Sequence, residues 1–518
     1  MKTSSLIPCL LALAGLLAAP LASSAANLVV TNLADSGPGT LRSAITNADN
    51  GAVITFDPSL SGATITLSNT LPVNTNLTID ASALPGGLQV NGNGSVQIFN
   101  VASNTFVFLN SLTITNGYVS TNGYSSTNYG GGINNNGTLT LTNCILSGNS
   151  APNGGFGGGI YNVGTLTLNQ CTLSGNGGRY CLGGGIFNGG TLTLTNCTLS
   201  GNSARDAGGI YNAGTLTLNQ CTLSGNSAIA PIFLGGGIDN AGLLTLNQCT
   251  LSGNSSGDAG GGIGNRYGTV TLNQCTLSGN SAASRGGGIW SGGTLTLNQC
   301  TLSGNSAISA NGGGGIFNED GALGMTNTIV GGNSGSRGAD IVNYNSATLT
   351  YGGSNLVQSV YNAVGTITGP APVTNAPNLA PLGNYGGPTQ TMPPLPGSPA
   401  IGAGSVAANI FATDQRGYPR TQNGLIDIGA VELQSPAANP PVLENITVPA
   451  GGGANGLQFT FTNAPAADFT VLTATNVSLA LTNWTVLGEV QQVAPGQYQF
   501  TDPQAATNRV RFYRVRSR

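Results

Sequence analysis

Three aspartates, Asp206, Asp239 and Asp258, come nearest in this chain to a catalytic constellation. Asp206 and Asp258 each precede a copy of the recurring motif Gly-Gly-Ile, so they read as equivalent positions two repeats apart, with Asp239 on the repeat between. Repeats stacked at strand spacing would put the outer pair about 10 Å apart, a separation at which two carboxyls can divide acid and base roles on a glycosidic bond. The structural alternative is that all three are solvated turn residues. A denser group, Asp414, Arg416, Arg420, Asp427 and Glu432, has the residue types for ion pairs that close the end of a domain.

Around these groups the chain is chemically sparse. Charged residues make up 6% of 518, histidine is absent, and Lys2 is the single lysine. Most general acids, bases and metal ligands are therefore missing, so a non-enzymatic protein with no metal and no cofactor is expected. A net charge of -3 leaves no basic footprint for nucleic acid, and the five arginines between Arg509 and Arg518 are too local to make one.

The elements that must position these residues follow from a repeat. Cys144, Cys171, Cys197, Cys221, Cys249, Cys275 and Cys300 recur at intervals of 24 to 28 residues, and Thr328 takes the same place one unit later. A column of isoleucines runs beside them: Ile133, Ile160, Ile186, Ile210, Ile238, Ile263, Ile289 and Ile316. Within a unit, Leu166 and Leu168 alternate with Thr165 and Thr167, the period of a strand buried on one face. Asn169-Gln170 breaks that register, and Asn tolerates the left-handed conformation a corner needs. Ser174-Gly175-Asn176 makes a second corner, and a glycine run leads to Ile186. Three short strands and three corners per unit predict an all-β fold, a right-handed parallel β-helix, whose copies match because each coil packs on the next. Asn149, Asn176, Asn202, Asn226, Asn254, Asn280 and Asn305 then form a ladder of amides.

Residues 1–26 have the charged start, apolar run and small-residue end of a signal peptide, so export to the cell surface or the medium is expected, with no membrane-spanning segment after it. Residues 27–130 read as an N-terminal cap and irregular coils, with Leu41, Ala44, Ile45 and Ala48 at helical spacing over the first coil. Regular repeats fill 131–335, terminal coils 336–435 and a linker 436–441. Residues 442–518 alternate like a small β-sandwich, with Trp484 in its core and a register shift near Tyr513 in the last strand.

The units "CTLSGNSA…GGGIYN" resemble the repeats of polymorphic outer membrane proteins and of bacterial right-handed parallel β-helix proteins. The stretch "PNLAPLGNYGGPTQTMPPLPGSPAIGAGS…TDQRGYPRTQNGLIDIGAVE" resembles a choice-of-anchor Q domain, although Gly402 stands where that pattern usually has an acid. The resemblance implies fold and export more than activity, and no run of long alternating strands like that of a membrane barrel follows residue 433. Pectate-lyase-like and polygalacturonase-like enzymes share such a pectin-lyase-like coil and use carboxylate clusters on one exposed face. A polysaccharide lyase or glycoside hydrolase is therefore the alternative to adhesion or binding of an extracellular glycan or surface protein.

Binding candidates follow from the position after each column isoleucine: Tyr161, Phe187, Tyr211, Asp239, Gly264, Trp290 and Phe317. If Ile faces inward these face outward, as a stripe for sugar rings broken at Asp239 and Gly264, or as aromatics stacked on one another. Paired outward threonines such as Thr191 and Thr193 make a regular array like the ice-binding faces of some β-solenoids, and Leu243 interrupts it. The cysteines read as buried free thiols, because stacked β-carbons lie wider apart than a bridge prefers, with Cys181 off the column and exposed.

Overall fold

The computed structural model describes residues 27–119, 129–152, 154–230, 235–309, 312–434 and most of 443–517. Residues 1–26, expected to be a signal peptide, the 120–128 and 231–234 loops and the expected linker 436–441 lie outside the described residues.

Among the described residues, strands stack in parallel into four sheets. A fourteen-stranded sheet carrying the Thr-x-Thr rows runs from Asn27–Val30 to Thr366–Thr368. A twelve-stranded Gly-Gly-Ile sheet runs from Leu71–Val73 to Val360–Asn362, and a twelve-stranded Thr-Leu-Ser sheet from Thr64–Thr66 to Leu356–Val357. A seven-stranded fourth sheet, from Gly177–Leu182 to Ser334–Gly335, adds a short side that the three-strand reading lacked. The chain is a parallel β-helix with identical residues in register: Leu166 pairs with Leu192, Leu192 with Leu216, and Ile186 with Ile210. These inward columns and the seven stacked cysteines are fully buried in one continuous core. Each buried leucine or isoleucine contributes about 1.5–3 kcal/mol by leaving water, and the same gain recurs at every coil.

The corner before each cysteine is left-handed at its second residue: Gln170, Gln220, Gln248, Gln274 and Gln299 have φ between 52° and 55°. Asn169 ends the preceding strand instead. The expected ladder is present: Asn226 Nδ2 donates to Asn254 Oδ1 at 2.9 Å, Asn254 to Asn280 at 2.9 Å and Asn280 to Asn305 at 2.9 Å. It runs in one direction and ends on Asp340, which accepts from Asn333 at 2.9 Å. A terminal acceptor needs no donor of its own, so a carboxyl fits there. A second ladder, not read from the sequence, passes from Asn162 through Asn188 and Asn212 to Asn240 at 2.7 Å per step.

Leu41–Thr46 is the expected capping helix, begun by Thr40, whose side chain accepts from the Ser43 N–H; Leu41, Ala44 and Ile45 are buried. At the other end, two antiparallel sheets of four and three strands form the C-terminal sandwich. Its core is Phe459, Phe461, Phe469, Val471 and Tyr498. Trp484 lies outside that core, half-buried, with its indole N–H on the Leu479 carbonyl. The last strand pairs from Phe469↔Ser517 to Ala474↔Phe512 without the expected shift. Arg514 and Arg516 alternate outward with the pleat, so no shift is needed to expose them.

Candidate functional site

Along the Gly-Gly-Ile sheet the register aligns Tyr161, Phe187, Tyr211, Asp239, Gly264, Trp290 and Phe317 in one row. The row is not an open platform. Tyr161 stacks on Phe187 at 5.2 Å and 16°, and Phe187 on Tyr211 at 5.3 Å and 5°, so the ring faces cover one another. Phe156 packs edge-on against Phe187 at 4.8 Å, and Tyr129 covers Tyr161 at 4.6 Å. Phe317, expected outside, is buried under Arg285, whose guanidinium lies 5.3 Å from its ring centre. Trp290 is half-buried, and its ring lies over Gly292, where a β-carbon would meet Cη2 at 3.4 Å.

Tyr211 is the last ring of the stack, and Trp290 stands three rungs further on. At strand spacing that is about 14 Å along the axis. Gly264 puts no side chain into this interval, which Tyr211 bounds on one side and Trp290 on the other, and Gly264 and Asp239 are themselves buried. The floor of the interval is charged. Arg266 Nε donates to Asp239 at 3.0 Å and its NH2 group to Asp206 at 2.9 Å. The two carboxyls are 0% and 2% exposed, whereas Arg266 keeps 28% of its side chain in contact with solvent. Burial, reinforced by the negative charge of Asp206, holds the Asp239 carboxyl well above the usual range against the pull of Arg266. A protonated Asp239 can donate to Asp206, and the triad is then neutral: one carboxylate, one acid, one guanidinium. Burial alone would lower the Arg266 pKa, but Asp239 and Asp206 outweigh it and raise it. Burial and then the same two acids also raise the Tyr211 hydroxyl.

Two sequence expectations are corrected here. Asp206 and Asp239 are not solvated turn residues but buried partners of one arginine. Asp258 is not equivalent to Asp206 and does not join them. The Gly183 N–H meets the Asp206 carbonyl, the Gly235 N–H that of Ala259, and the Gly260 N–H that of Arg285, so the counterpart of Asp206 is Ala259. A slip of one residue turns a strand side chain to the other face, and Asp258 stays half-buried beside Ser256. Ala207, next to Asp206, has φ +58°, where Gly183, Gly235, Gly260 and Gly286 hold the same corner in other coils.

Arg266 escaped the sequence reading, although a signal existed. From Ile160 onward, three residues after the column isoleucine stand Val163, Gly189, Ala213, Ala241 and Gly292; Arg266 and Glu319 break that uncharged run. Both make ion pairs, for Glu319 accepts from Arg285 at 2.6 Å and from the Trp290 indole at 3.0 Å.

No family model and no curated protein matches the chain. Solved structures similar to it include pectate lyase Pel9A, with 13% identity over 79% of this chain and 97% of that one, at a TM-score of 0.41. Another is a double mutant of the tailspike protein of E. coli bacteriophage HK620 in complex with pentasaccharide, with 13% identity over 90% of this chain and 86% of that one, at a TM-score of 0.27. The fold described above rests on the strand register of this chain.

The second charged group lies elsewhere. Residues 377–434 form a strap folded back over the Thr-Leu-Ser sheet, where Ala400 and Ile428 pack on Ile329 and Leu356. Within it Arg416 pairs with Asp414 at 2.9 Å, and Arg420 donates to the carbonyls of Asp427 at 2.9 Å and Gly429 at 2.5 Å. Glu432 accepts from the Asp427 N–H at 2.7 Å. Its carboxyl is pushed up to about 8, by burial first and then by the charge of Asp427. All five residues are buried, so the group holds the strap together rather than facing a substrate.

Cys181, expected to be exposed, is fully buried against Ala151 and Ala204, because it lies on the first strand of the unforeseen fourth sheet with its side chain inward. Burial pushes its thiol up to about 12.

Proposed function

We propose that the chain is an exported cell-surface or secreted protein, related to the β-helix proteins with polymorphic outer membrane protein repeats and a choice-of-anchor Q segment, that binds an extracellular glycan without cleaving it. The observation that carries the reading is the break in the aromatic row between Tyr211 and Trp290, which we take as a slot for a sugar ring. It joins two aromatic side chains, which suit the apolar faces of sugar rings, to one partly exposed arginine side chain fixed in place by two carboxyls. A donor held this way is oriented for a sugar hydroxyl or carboxylate.

Binding is favoured over turnover because Asp206 and Asp239, the acids nearest the slot, lie beneath the surface and are committed to Arg266. A general acid must come within hydrogen-bond reach of the reacting oxygen. Glycan-array binding, run beside an assay for new reducing ends and unsaturated products, tests this. Trp290→Ala is expected to abolish binding while no product forms with either protein. Product formation lost on Asp239→Asn would overturn the reading in favour of a lyase or hydrolase. Fractionation of the producing cells tests export: a chain retained in the cytoplasm with residues 1–26 still attached contradicts it.

A further inference from the structure

The strap grips the Thr-Leu-Ser sheet through side chains that the repeat supplies at every coil. Gln248 Nε2 donates to the Asp414 carbonyl at 2.9 Å, Gln274 Nε2 to the Thr413 carbonyl, and Gln299 Nε2 to Asn409 Oδ1 at 2.8 Å. Two residues further on in each coil, Thr250 donates to the Gln390 carbonyl at 2.6 Å and Thr276 to Gln415 Oε1 at 2.6 Å. Consecutive carbonyls, of Thr413 and Asp414, therefore meet consecutive coils, and this part of the strap runs along the solenoid axis.

The same side chains continue beyond the strap. Asn143, Gln170 and Asn196 occupy the glutamine position and are exposed; Gln220 and Gln248 are half-buried; Gln274 and Gln299 are buried. Thr172, Thr198 and Thr222 are half-buried where Thr250, Thr276 and Thr301 are buried. The left-handed corner that aims the amide is retained, with φ 53° at Asn143, 54° at Gln170 and 54° at Asn196. No outward residue of this stretch is charged, and Ile145 at its far end is 44% exposed.

We infer that coils 143–224 of the Thr-Leu-Ser sheet form an open track for an extended polypeptide segment of no net charge from a partner protein, bound through its backbone carbonyls. The track is continuous with the strap interface and repeats its chemistry, and there the occupant is a polypeptide. Side-chain amides and hydroxyls pointing outward from successive coils supply donors, which suits a segment read by its acceptors. This surface lies on a different sheet from the slot and does not depend on it.

The test uses the mature full-length protein and a fluorescein-labelled synthetic peptide, NIFATDQRG, copying residues 409–417. Anisotropy titration is expected to show saturable binding. Gln170→Ala is expected to weaken it about fivefold, the effect of one net hydrogen bond. Gln170→Ala with Thr198→Ala should weaken it about twenty-five-fold, the two losses adding because the sites lie on different coils. Thr172→Val, which keeps the shape and removes the hydroxyl, serves as a second reading should an alanine variant misfold by circular dichroism. A photoreactive version of the peptide should label residues 143–224. Labelling confined to 248–301 would mean exchange with the strap, and equal affinity for parent and variants, or no saturation, would equally overturn the inference. Glycan binding lost in the track variants, without any peptide binding, would assign the surface to a carbohydrate instead.

Discussion

Replacing Arg266 by Met keeps an apolar stem of similar length and deletes the guanidinium. Two hydrogen bonds disappear, 2.9 Å to Asp206 and 3.0 Å to Asp239, and both carboxyls remain where water does not reach them. Removing one partner of a buried ion pair costs about 3–5 kcal/mol. The cost has a defined dependence on pH. Arg266 is the pull that opposes burial and the charge of Asp206 at Asp239, so deleting the guanidinium makes the folded acid pair hold its protons more tightly than in the parent. Protonation of the pair in the folded variant is therefore shifted further above the unfolded value of 3.8. The penalty is therefore small below that pH and grows as pH rises, by up to about 1.4 kcal/mol per unit, until the folded pKa is passed. Denaturant unfolding followed by fluorescence and circular dichroism should show a loss of about 3–5 kcal/mol at pH 7 and of about 1 kcal/mol or less at pH 4. Adding Asp239→Asn to Arg266→Met removes one of the two acids and is expected to restore about half of the loss at pH 7. An equal loss at both pH values would show that Arg266 acts through packing, and a loss below about 1 kcal/mol at pH 7 would refute the triad as a buried unit.

Other residues give further expectations. Asn226→Ala takes an acceptor from the Asn202 backbone and side chain and a donor from the Leu199 carbonyl and Asn254; a loss of about 3 kcal/mol or more in denaturant stability is expected, against about 0.5 kcal/mol for outward Thr217→Ala. Ala207→Gly relieves a left-handed alanine and should raise stability by about 0.5–1 kcal/mol, read as a higher melting temperature. Glu432 has a folded pKa of about 8 against 4.5 unfolded. Its protonated form belongs to the fold, so stability is retained below pH 4.5 and lost as pH rises to 8, by an amount on the order of 4 kcal/mol; Glu432→Gln should flatten that decline in a series of melts from pH 5 to 8. A thiol reagent should find none of the eight buried cysteines in native protein lacking residues 1–26 and all eight in denaturant without reductant, and fewer in denaturant would reveal disulfides.

The sequence by itself determined the solenoid. In a stacked coil the neighbour of each residue is its own copy 24 to 28 positions away, so the repeat is already a contact map: the leucine and cysteine columns and the Asn149–Asn305 ladder follow from it, while the helix on the first coil was legible from its own apolar spacing. Offsets as small as one residue were not legible, because glycine runs of different length precede the isoleucines, and this misaligned Asp258 with Asp206. The fourth sheet was hidden as well, since its strands are as short as Ser227–Ala228 and leave no period. Only the tertiary structure decided where the charges meet. Arg266 reaches Asp206 across 60 residues, and Gln248 meets Asp414 across 166. Such contacts are not marked in the repeat, because one partner of each lies outside it or breaks it, as Arg266 and the strap residues do, and its place depends on how the whole chain folds back on itself.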